Sequence, residues 1–70
     1  MTKTSLTING EARQIEGDVG TVARLLEALG LAGQRVAVEV NGAIVRRASW
    51  DEAAVSNGDV IEVVQFVGGG

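Results

Sequence analysis

The sequence predicts an α+β fold, a single sheet of four to five strands covered on one face by one helix. Three observations carry that expectation. Asn-Gly pairs at 9–10 and 41–42 each separate two short segments that alternate or run apolar, which is the signature of a tight hairpin. Between the hairpins, Val22, Leu25, Leu26 and Leu29 recur at helical spacing and draw one apolar stripe. After Asn57-Gly58-Asp59, which reads as a turn, the run VIEVVQFV reads as a final strand.

The elements follow in order. In TSLTING, Leu6 and Ile8 share a face, and Asn9-Gly10 supplies the positive φ angles of the first turn. The return, EARQIEG, leaves its register undecided, because Ala12 and Ile15 have opposite parity and cannot share a face without a bulge. The helix of about ten residues has Thr21 as its N-cap and Gly30 as its left-handed stop; it is too short to persist alone, so its stripe must lie on the sheet. Val36, Val38 and Val40 then form one face of a third strand, with a short return through Ile44 and Val45. The stretch RRASWDEAAVSNGD is irregular, and its Trp50 is expected to close one end of a small core. In the last strand, Ile61 and Val63 point inward, which turns Glu62, Val64 and Phe66 to the opposite face. Two exposed apolar groups there suggest a docking surface.

Composition narrows function mainly by exclusion. A 70-residue chain that is 46% hydrophobic is expected to fold as one domain, here residues 1–67, followed by a flexible glycine tail at 68–70. With neither cysteine nor histidine it has no disulfide, thiolate nucleophile, imidazole base or ordinary zinc site. Nine acidic against six basic residues, one Trp, one Phe and no Tyr argue against nucleic acid and anionic membrane as partners. No apolar signal core opens the sequence, so a cytoplasmic location is expected. Asp51 with Glu52, and Glu16 with Asp18, lack an accompanying nucleophile and read as solvated charge. Arg46 and Arg47 read as exposed or locally paired. No phosphate-cradling glycine pattern occurs, so any nucleotide would be held by a partner.

The closing FVGGG places three of ten glycines together. Glycine has no Cβ, so such a run threads a channel too narrow for side chains. Three extended residues reach roughly 10 Å, enough to deliver a carboxylate into another protein's pocket. Once joined to AMP, that carboxylate becomes a mixed anhydride open to a sulfur nucleophile. The competing reading is a frayed end.

VAVEVNGAIVRRASWDEAAVSNGDVIEVVQFVGGG closely resembles the ThiS family of sulfur carriers, ubiquitin-like β-grasp proteins of thiamine biosynthesis. The shared pattern is the valine-rich strand into Asn41-Gly42, Arg46, Trp50, Gly58-Asp59, Ile61-Glu62 and Gly69-Gly70. It spans about half the chain; the first half agrees in element order. The resemblance implies a carrier, not an enzyme. Its Gly70 carboxylate would be adenylated by an E1-like ThiF-type enzyme using ATP and magnesium held by that enzyme. Sulfur from a cysteine desulfurase route would convert it to a thiocarboxylate, which a ThiG-type thiazole synthase would consume. Val64, Phe66, Val67, Gly68 and Gly69 would meet the partners, with Gly68 an added flexible position. The small subunit of molybdopterin synthase shares the fold and the diglycine, so a sulfur donor for molybdenum cofactor remains an alternative. The absence of proline favours the thiamine branch. A ubiquitin-like binding module whose tail is never activated is the other alternative.

Overall fold

The computed structural model describes residues 2–66. Five strands, β1 (Lys3–Ile8), β2 (Glu11–Glu16), β3 (Val36–Val40), β4 (Ala43–Val45) and β5 (Val60–Gln65), form one sheet in the order β2-β1-β5-β3-β4. The helix α1 (Val22–Ala28) joins the first hairpin to the second. β1 and β5 run parallel and the other neighbours antiparallel, so the sheet is mixed. The last strand thus lies in the middle, held by β1 on one side and β3 on the other.

Both Asn-Gly turns have the geometry that their composition demands. Asn9 and Gly10 have φ of 52° and 82°, Asn41 and Gly42 of 52° and 86°, positive at both central positions as a type I′ turn requires. The two asparagines also do a second job. The Asn9 amide group donates to the Val63 carbonyl at 3.2 Å and accepts the Val63 N–H at 2.8 Å, so a side chain continues the β1 ladder along β5. Asn41 accepts the Val60 N–H at 2.9 Å and donates to Asp59 at 3.1 Å. Each turn therefore ties its hairpin to the central strand.

The undecided second strand resolves without a bulge. Thr4 faces Ile15 and Thr7 faces Ala12 in an unbroken register, so Ile15 is the one buried residue of β2 and Ala12 turns to solvent. The helix is shorter than its stripe: Val22, Leu25 and Leu26 are buried, while Leu29 is the C-cap and only partly covered. Thr21 caps the start by accepting the Arg24 N–H at 3.3 Å. At the other end Gly30, with φ of 75°, donates to the Glu27 carbonyl and Leu31 donates to Leu26, the paired bonds of a Schellman stop.

The inner face of the sheet and the helix enclose the core, in which Leu25, Ile61, Val22 and Val38 are fully buried. Burying side chains of this size contributes about 1.5–3 kcal/mol each. Val19, from the loop before α1, and Val55, from the segment between the 3-10 turn and β5, complete it. Among the described residues Thr4 is the one buried polar side chain; its hydroxyl donates to the Gly17 carbonyl at 3.0 Å and accepts the Val19 N–H at 3.4 Å, pinning the loop that leads into α1. A three-residue 3-10 turn, Arg47–Ser49, and a bridge between Thr21 and Ala54 order the stretch that reads as irregular from sequence.

Candidate functional site

The helix covers only one face of the sheet. Val38, Val40, Ile61 and Val63 turn toward it, and the parity of the pleat sends the residues between them to the other side. Along β5 that outer column is Val60, Glu62, Val64 and, just past the strand, Phe66. Val60, Val64 and Phe66 are 45, 58 and 62% exposed, as parity predicts for the last two. Phe66 is fixed at its backbone, where its N–H donates to the Arg35 carbonyl at 2.9 Å.

The neighbouring strands extend this surface. Ala37 on β3 is the register partner of Val64, and Glu39 that of Glu62. On β4, Ile44 stands opposite Glu39 and is 76% exposed. Over β5, β3 and β4 the outer face therefore carries exposed apolar side chains around two glutamates that are cross-strand partners, while β1 turns Ser5 and Thr7 to the same side. Sequence reasoning missed Ile44 and Glu39 as members of this face. The signal was present, since both have the opposite parity to Val38 and Val45, but the pairing of β3 with the distant β5 had to be known first.

Of the residues expected to meet partners, Val64 and Phe66 are therefore brought together on one exposed face. Val67, Gly68, Gly69 and Gly70 lie outside the described residues. The other singled-out groups fall elsewhere. The Trp50 ring is half-buried against the core, its indole N–H donating to the Val45 carbonyl at 3.0 Å, so it closes one end as expected. The Arg47 guanidinium lies 5.6 Å from that ring's centre, which gives one arginine of the pair a local cation–π partner. Arg46, Asp51 and Glu52 are exposed. Glu16 and Asp18 border a shallow depression with Arg24 and Glu27, on the helix side. Among the described residues no group of three or more His, Cys, Asp or Glu side chains could hold a metal ion. No helix among them is long and apolar enough to cross a membrane.

A mixed five-stranded sheet wrapped on one helix, with a bare outer face beside the exit of its central strand, defines a β-grasp domain of the ubiquitin-like class. Comparison with known proteins narrows the class. The ThiS family model matches residues 6–70. The sulfur carrier protein ThiS of Bacillus subtilis is 38% identical over 65 residues, covering 93% of this chain and 98% of that protein. A crystal structure of the thiamine biosynthesis protein ThiS from Geobacter metallireducens superposes with a TM-score of 0.80 at 38% identity, over 96% of this chain and 100% of that one. A protein named thiazole synthase from Paramagnetospirillum magneticum is 46% identical over 65 residues, and the chain spans only 20% of its length. The chain belongs to the ThiS family, of which the Bacillus subtilis relative is named a sulfur carrier protein and the Geobacter metallireducens one a thiamine biosynthesis protein.

Proposed function

We propose that this chain carries sulfur on its Gly70 carboxylate and yields it for thiazole formation. The observation that carries this is the juxtaposition of an exposed apolar face, Val64 and Phe66, with a glycine run that follows directly in sequence. Four residues beyond Phe66 span at most about 14 Å when extended, so an enzyme acting on Gly70 must come close to the end of β5, beside which Val64 and Phe66 are exposed. The chemistry runs in two stages. An E1-like enzyme of the ThiF type, which itself holds ATP and magnesium, transfers AMP to the carboxylate and releases pyrophosphate. A persulfide sulfur from a cysteine desulfurase route then attacks the glycyl carbon and expels AMP, forming an acyl disulfide, and a thiol reductant cleaves that S–S bond to release the thiocarboxylate while its own sulfur is oxidised into a disulfide with the donor.

The receiving partner is a thiazole synthase of the ThiG type. Support comes from the two proteins of that name, from Paramagnetospirillum magneticum and Magnetococcus marinus, in which a segment resembling this chain makes up about a fifth of the length. Joining two modules in one polypeptide raises their effective concentration, which rewards modules that act on each other. The test is intact-mass spectrometry of the chain after incubation with the cognate adenylating enzyme, ATP and a sulfur source. The expected product carries sulfur in place of one oxygen at the terminus. An unmodified mass, with an enzyme shown active on another carrier, would support the inert binding module instead.

A further inference from the structure

We infer that Glu39 and Glu62 form a paired-carboxylate seat for a guanidinium or ammonium group on the thiazole synthase. This rests on the outer face being the docking surface proposed above. The two residues are direct cross-strand partners on β3 and β5. Hydrogen bonds at both ends of that ladder, Asn41 N–H to the Val60 carbonyl and Phe66 N–H to the Arg35 carbonyl, place pair 39–62 in the hydrogen-bonded set, where Cα atoms lie about 5.5 Å apart. Like charges directly opposite each other destabilise a sheet. The free protein thus sustains a repulsion that a Gln or Thr at either position would relieve.

The surroundings say what would relieve it in a complex. Ile44 flanks Glu39 on β4, while Val60 and Val64 flank Glu62 along β5, so the carboxylates sit inside an apolar frame. A partner that covers the frame removes water from the carboxylates, and desolvated charge must be matched by opposite charge. A second copy of this chain docking face to face would bring four carboxylates together, and its net charge of −3 also opposes self-association. The occupant is therefore a foreign surface with an Arg or Lys ringed by apolar side chains, which supplies register and selectivity more than bulk affinity.

The test measures two quantities on the same variants, E39Q, E62Q and their combination, with the cognate thiazole synthase as the probe. Calorimetric titration of the unloaded full chain is expected to show Kd rising about 30-fold or more in the double variant, the effect of stranding a buried partner charge. The free double variant is expected to melt higher than the parent by a few degrees, roughly what relief of a cross-strand repulsion produces in a domain of this size. Weaker binding from a more stable protein is a split that a purely structural role does not produce. An unchanged or tighter Kd in the double variant, while F66S still weakens binding, overturns the seat and leaves the docking face standing. If F66S also leaves Kd unchanged, the docking face fails with it. Because the assay needs no thiocarboxylate, its result is independent of whether Gly70 is ever charged with sulfur.

Discussion

The two faces of the sheet are built from the same strands and the same residue types, yet they do opposite work. On the inner face Val38 and Ile61 are 1 and 0% exposed, sealed beneath α1. One pleat away on the same strands, Val60 and Val64 are about half exposed and two glutamates stand between their neighbours. A valine contributes to folding only where something covers it, so the outer valines add little to the stability of the free protein. On the proposed reading their use lies in a complex.

Breaking the inner face should have the largest effect. Ile61→Ala removes a fully buried side chain from the central strand and should cost about 3–4 kcal/mol, much of the stability of a domain this small, measured by urea denaturation. Phe66→Ser should change stability by no more than about 0.5 kcal/mol in the same experiment, but weaken partner binding by about 2 kcal/mol if Phe66 is an anchor. A Phe66 variant that unfolds as readily as the Ile61 variant would erase the distinction between the faces.

Removing Gly70 should abolish conversion to thiocarboxylate without changing the midpoint of unfolding. Asn9→Ala should cost about 1–2 kcal/mol, since it loses both side-chain bonds to Val63 and places alanine at a φ of 52°. Thr21→Ala, which removes a single cap bond on α1, should cost about 1 kcal/mol. The ranking places loss of the core above loss of the turn, and the turn at or above the cap.

Local chemistry made much of this legible in sequence. The Asn-Gly turns, the cap at Thr21, the stop at Gly30 and the inward set of the last strand all depend on residues within a few positions of one another. The register of β2 did not, because Ile15 is its only buried residue and a strand with one anchor carries no alternation to read. Val19 and Val55 escaped notice for a similar reason: each is a lone apolar residue in a loop, buried through long-range contacts such as the bond from Val55 N–H to the Gly20 carbonyl. For the site, parity exposed Val64 and Phe66 from within one strand. Ile44 and Glu39 joined them only when the central place of β5 brought three strands from distant parts of the chain side by side.

The division of labour between the faces is tested most directly by an amide-resolved NMR titration of the isotopically labelled chain with unlabelled thiazole synthase. The expected perturbations centre on Glu39, Ile44, Glu62, Val64 and Phe66 and leave α1 unmoved. Perturbations concentrated on α1 and the loop at Gly17–Val19, with the outer sheet unchanged, would contradict it.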